Sequence, residues 1–190
     1  MRAETSVPIN SVIATRRSPR SFVSDHQIDN ADLLALVEAA RWAPSAFNGQ
    51  PWRFFIGQRG DEVFTQILAS LGEFNQSWAK NSSVLFLLAS TTTNEDGTPY
   101  GGYLFDCGLA VSQLVHEAHD RGLVVHQMAG FSKDEATKLL EIPSELVPVI
   151  VIAVGKQDVP EKLDRPLAER EVAPRQRLPL ETIVIKGLPL

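Results

Sequence analysis

The chain has 190 residues, 44% of them hydrophobic and 22% charged, with 18 basic against 23 acidic side chains and a net charge of −5. At about 100–200 residues per domain this is one domain, or one domain with a tail, large enough to hold a core without disulfides or metals. The apolar fraction excludes disorder, and 12 glycines and 12 prolines exclude a collagen-like or low-complexity chain.

In chain order, a short first helix is expected over residues 8–14, capped by Ser6 with Pro8 in its first turn. Asp29 caps a second helix through Trp42, in which Leu33, Leu34, Leu36, Val37 and Ala40 recur at helical spacing until Pro44 stops it. Residues 52–57 (WRFFIG) read as a buried strand and residues 61–71 as an amphipathic helix closed by Gly72. Residues 84–90 (VLFLLAS) form a continuous apolar strand of the kind covered on both faces. A polar loop over 91–99 leads into a long helix with Leu104, Cys107, Val111, Leu114, Val115 and Ala118 on one face, ending at Gly122. Residues 123–128 are a strand, and Ser132 with Glu135 makes a capping box for a helix reaching Glu141. Residues 147–154 are the last core strand, disturbed by Pro148. The alternation predicts a sheet carrying helices, α+β or α/β.

Beyond residue 155 the character changes. The last 35 residues hold 13 charges and five prolines with no helical period. Such a stretch cannot bury a face of its own. Residues 181–186 (ETIVIK) are strand-like, which predicts an extended arm ending in a strand laid on a partner subunit. The expected division is a domain over 1–155 and an arm over 156–190.

No apolar run approaches the ~20 residues of a membrane span. The N-terminal MRAETSVPIN has no apolar signal core, and Cys107 is the single cysteine, so a cytoplasmic chain is expected. The acidic balance argues against general nucleic-acid binding. Glycine-rich nucleotide fingerprints, C-x-x-C and the G-x-S-x-G elbow are all missing. His116 and His119 share one side of a helix but lack further ligands, so no metal is expected. Cys107 reads as a core thiol, and Asp106 beside it has no assignable role.

Three stretches carry chemistry. Arg16-Arg17-Ser18-Pro19-Arg20 places three guanidinium groups and a hydroxyl within five residues, a set suited to a phosphate monoester; it reads equally as an exposed basic turn. Residues 43–52 (APSAFNGQPW) are small residues and short amides directly before a strand, either a loop admitting a planar, acceptor-rich heterocycle or a connection of turn formers. Arg175-Gln176-Arg177, deep in the arm, reaches back to an anion or is solubilising charge.

Together these pieces resemble the nitroreductase family of FMN-dependent NAD(P)H oxidoreductases, homodimers with flavin at the subunit interface. The ordered set is Arg16-Arg17-Ser18-x-Arg20, Pro44-Ser45-x-x-Asn48-x-Gln50-Pro51-Trp52, Phe74-Asn75, Ala129-Gly130-Phe131 and Arg175-x-Arg177. The resemblance implies a nitroreductase-like α+β fold, three-layer α/β/α with a mostly antiparallel central sheet and a C-terminal arm exchanged in a homodimer. It implies that Arg16, Arg17, Ser18 and Arg20 hold the phosphate, ribityl chain and pyrimidine edge, and that Arg175 and Arg177 close on the same phosphate. By the same resemblance, Pro44, Ser45, Ala46, Asn48 and Gln50 are expected to form the loop packed on the isoalloxazine from the other subunit. The resemblance also implies that Asn75 bonds the ring and that Ala129-Gly130 is the backbone facing N5. Trp78 stands where many relatives have a lysine near the flavin N1 edge, and Lys80 or Arg16 would have to supply the positive charge in its place.

Flavin carries the hydride chemistry, so no catalytic side chain is assigned. The implied function is hydride transfer from NADH or NADPH through flavin N5 to a small acceptor, nitroaromatic or quinone, by a ping-pong cycle. Phe47, Phe74, Trp78, Tyr100, Tyr103 and Phe105 are candidates to line an apolar pocket or to pack in the core. The alternatives are a dehalogenase or flavin-fragmenting relative and a flavin-binding protein without turnover.

Overall fold

The computed structural model describes residues 2–94 and 96–187. Its elements are, in order, α1 (Ser11–Thr15), α2 (Asn30–Arg41), β1 (Trp52–Gln58), α3 (Glu62–Ser70), α4 (Glu73–Ala79), β2 (Val84–Thr91), α5 (Tyr103–Asp120), β3 (Val124–Met128), α6 (Lys133–Leu139), β4 (Leu146–Gly155), α7 (Arg165–Val172) and α8 (Leu180–Ile183). Local side-chain chemistry sets several of the starts. Asn10, Asp29, Asp61 and Ser132 each accept a hydrogen bond from an N–H of the turn that follows, which satisfies a donor the helix itself leaves free. The first helix therefore begins at Ser11, under Asn10, rather than in the turn after Ser6.

The four strands form one antiparallel sheet in the order β1-β2-β4-β3. β2 lies inside it and alternates its apolar side chains between two cores. Val84, Phe86 and Leu88 pack with Leu36 and Ala40 of α2 and with Cys107 and Leu114 of α5. Leu85, Leu87 and Ala89 pack with Phe64 and Ile67 of α3, Trp78 of α4 and Ala136 of α6. This gives helix, sheet and helix layers, and it accounts for the unbroken apolar run of β2. Gly57 is fixed by packing: a Cβ there would stand 2.1 Å from the backbone nitrogen of Phe64, where α3 crosses β1. The β2–β4 register shifts between Leu88 and Ala89, opposite Ile150 and Pro148, so the proline sits at a bulge.

Three expectations need correction. Glu73–Ala79, read only as a motif, is a helix. Arg165–Val172, read as part of an arm without helical period, is also a helix, started by a proline in its first turn and fastened by Leu167 and Glu171. Residues 181–186 do not form a strand; a single helical turn, Leu180–Ile183, replaces its first half. As far as Arg175 the arm makes bonds to its own chain: Asp158 N–H donates to Ser21 O, Arg17 to Ala173 O, and Arg175 to the carbonyls of Ala14 and Arg16.

Candidate functional site

Arm docking brings four arginines together. Arg16 donates to Ser18 Oγ at 3.0 Å, Arg175 bonds the Arg16 carbonyl, and Arg177 and Arg17 lie close enough to act on Arg175 by charge. Among the described residues, none of the four meets a carboxylate in an ion pair. Burial, then the charge of Arg177, pushes the Arg16 guanidinium below its ordinary value; burial, then Arg17, Arg16 and Arg177, does the same to Arg175. Like charges gathered at a half-buried place form a site that an anion would relieve.

Glu171 of α7 fixes the neighbouring backbone. Its carboxylate is buried and accepts from Arg20 N–H at 2.9 Å and Ser21 N–H at 3.2 Å. Sequence reasoning missed this residue, because a carboxylate in a stretch read as a solvated arm gives no sign of burial. His126 of β3 holds the same loop from below, its Nδ1 3.0 Å from the Pro19 carbonyl oxygen.

Trp78 is 1% exposed, stacked on Phe22 at 6.2 Å and against His126 at 4.7 Å between ring centroids. It is a core residue, which corrects the expectation that it lines a pocket. The cation over its ring is Arg20, with Cζ 5.9 Å from the centroid, whereas Lys80 is exposed and Arg16 belongs to the arginine cluster. Arg20 Nε and Trp78 Nε1 are both buried donors without an acceptor. Nearby, Asn75 Nδ2 donates to Gly130 O at 3.2 Å, so α4 and the segment after β3, Ala129-Gly130, meet there. Phe74 is exposed on α4.

The remaining predicted residues stand elsewhere. Pro44, Ser45, Ala46, Asn48 and Gln50 lie in the loop between α2 and β1, with Phe47 fully exposed at its tip. Phe47, Asn48 and Gln50 have φ of 52°, 58° and 44°. Non-glycine residues pay roughly 1–2 kcal/mol each for that left-handed region. The loop is braced within itself by Gln50 N–H to Ser45 Oγ at 3.1 Å and from outside by Ala46 N–H to Asp106 Oδ2 at 3.2 Å. Tyr103 opens α5, half-buried.

One chain does not close these two groups on each other. The 44–51 loop enters β1 at one edge of the sheet, and Ala129-Gly130 leaves β3 at the other. Three interstrand spacings, roughly 14 Å, separate those edges. Two concavities, of about 390 Å³ between α1, α2 and α5 and about 210 Å³ beside Leu104, Gly108, Val149 and Ile150, do not include the arginines. Burial pushes the Cys107 thiol up, as expected of a core sulfhydryl. Among the described residues no group of three or more His, Cys, Asp and Glu could hold a metal, and no helix is long and apolar enough to cross a membrane.

The sequence model of the Nitroreductase family matches residues 13–74 and 58–156. An uncharacterised 15.4 kDa protein of Mycolicibacterium smegmatis is 35% identical over 143 residues, covering 71% of this chain and 95% of that protein. A protein of Archaeoglobus fulgidus, provisionally named NADH dehydrogenase/NAD(P)H nitroreductase, is 29% identical over 148 residues, covering 76% and 82%. A crystal structure described as an oxidoreductase containing FMN superposes with a TM-score of 0.92 at 35% identity, covering 98% of this chain and 95% of that one. The fold is the nitroreductase fold, and the chain belongs to the nitroreductase family.

Proposed function

We propose that this protein is an FMN-dependent oxidoreductase that takes hydride from NADH or NADPH and delivers it to a small acceptor such as a nitroaromatic or a quinone. The observation that carries the reading is the cluster of Arg16, Arg17, Arg175 and Arg177, which among the described residues meets no carboxylate in an ion pair, next to two buried N–H groups, Arg20 Nε and Trp78 Nε1, that find no acceptor among them. A phosphate-tailed, acceptor-rich ring fits both halves of that set. The FMN-containing oxidoreductase with the same fold supports it.

In this reading Arg16, Arg17, Ser18, Arg175 and Arg177 hold the phosphate, and Arg20, over Trp78, keeps positive charge at the pyrimidine edge. Asn75 bonds the ring rim, and Ala129-Gly130 offers backbone to its N5 side. Bound flavin supplies hydride transfer through N5, and the chain contributes orientation, charge and exclusion of water. Donor and acceptor use one face in turn, a ping-pong cycle, so double-reciprocal rate plots are expected to run parallel.

The Pro44–Gln50 loop reaches the flavin from a second copy of the chain, with Phe47 and Phe74 lining the acceptor pocket. The separation of the two sheet edges favours this homodimer, as do the exposed Leu104 and Phe105 on α5 and Leu178, Ile183 and Ile185 in the arm. Residues 156–190 form the part of each subunit that completes the phosphate site. The single buried thiol fits a cytoplasmic setting.

The test is the absorbance spectrum of the purified protein, before and after anaerobic NADH or NADPH. Flavin bands that bleach within seconds are expected. Bands that persist would leave a flavin-binding protein without turnover, and a colourless protein that takes up no FMN would overturn the reading.

A further inference from the structure

The strained loop between α2 and β1 is tied to α5 by a buried acid. Asp106, in the first turn of α5, is 3% exposed and forms no ion pair among those found in the described residues. Its Oδ2 accepts from the Ala46 N–H at 3.2 Å and from the Tyr100 hydroxyl. Tyr100 reaches it by folding over Gly102, where a Cβ would stand 2.9 Å from the Tyr100 hydroxyl oxygen. One carboxylate thus joins the entry of the 45–50 loop to the end of the 91–100 segment.

We propose that Asp106 is a positioning residue: its bonds to Ala46 and Tyr100 hold residues 45–50 in the shape, with Phe47, Asn48 and Gln50 left-handed, that they present to the flavin ring. The effect on flavin rests on the reading above, that this loop packs on the isoalloxazine. Three physical facts support the assignment. Non-glycine residues stay at positive φ only where their surroundings over-determine them, and Phe47, Asn48 and Gln50 all do so within four positions. A buried carboxylate without its hydrogen-bond donors is unstable, so the loop and the acid require each other. Asp106 sits in the first turn of a long helix, so the rigid α5 holds its carboxylate in place between the Ala46 N–H and the Tyr100 hydroxyl. The bond to Asp106, then burial, pushes the Tyr100 phenol up to about 12, which gives the clamp a spectroscopic signature.

The test uses the full chain with Asp106→Ala, Asp106→Asn and Tyr100→Phe. Amide hydrogen exchange of residues 46–50 is read without flavin, and FMN affinity by the quenching of flavin fluorescence. Asp106→Ala is expected to speed loop exchange and weaken FMN roughly tenfold or more, the scale of losing hydrogen bonds to a charged group. Its phenol titration should fall back toward the ordinary tyrosine range. Asp106→Asn, whose Oδ1 can still accept both bonds, should rescue most of the effect, and Tyr100→Phe should give a smaller loss in the same direction. Unchanged loop exchange in Asp106→Ala overturns the clamp whatever happens to FMN. Faster exchange with unchanged FMN affinity upholds the clamp and overturns the placing of the loop on the flavin. Where Asp106→Ala does not fold, Tyr100→Phe decides: wild-type exchange in that variant overturns the proposal.

Discussion

Trp78 and Phe47 are both aromatic candidates for the same pocket, yet they occupy opposite extremes of burial. Trp78 closes one core between Phe22 and His126, so Trp78→Ala should cost about 3–5 kcal/mol, measured by urea unfolding. Phe47 projects from its loop, and Phe47→Ala should change the stability of the isolated subunit by less than about 0.5 kcal/mol in the same assay. His126 carries a pH dependence. Burial pushes its pKa below the ordinary histidine range, with the Pro19 bond opposing and Arg20 adding to the shift. The unfolded chain then binds that proton more readily than the folded one. Stability should fall as pH drops below about 6.5 and level off only beneath the lowered folded-state value. Urea curves across that range should show the loss, and His126→Gln should flatten it.

Among the elements, α7 is the one whose position the site needs and whose pattern is faintest. Leu167 and Glu171 are its only buried residues, so no apolar stripe marks it as a helix. The burial of Glu171 comes from the backbone donors of Arg20 and Ser21, which no linear pattern reveals. Glu171→Ala should loosen the arm, costing about 1–3 kcal/mol for the unsatisfied donors, and limited proteolysis should cut within 156–177 faster than in the parent chain. The expected strand over 181–186 failed for the complementary reason. A β-branched run becomes a strand only beside another strand, and among the described residues none lies there to pair with it. α2, α3, α5, β2 and β4 were legible because each carries an unambiguous apolar period, a side-chain cap or a continuous buried run.

At the scale of the whole molecule, the arginine cluster stores repulsion that an anion relieves. Inorganic phosphate should raise the thermal midpoint, and at a hundred times its dissociation constant the gain is about 2.7 kcal/mol. Neutral Arg175→Gln should lower both the midpoint shift and the phosphate affinity. Deleting residues 156–190 removes two of the four arginines and the Glu171 anchor. The truncated chain is expected to lose FMN and to run as a monomer in size-exclusion chromatography with light scattering; one that stays dimeric and yellow would overturn the role given to the arm.

Periodicity and capping residues determined most of the strands and helices and the two-faced core strand, and the clustering of Arg16, Arg17 and Arg20 marked the candidate phosphate arginines, because those signals are local and survive in a linear reading. Tertiary structure decided which arginines meet, that the arm contacts its own chain as far as Arg175, and that Trp78 belongs to the core. It also gave Asp106 and Glu171 their partners. Those outcomes depend on contacts between segments as far apart as residues 16 and 175, whose energies arise only when the chain has folded.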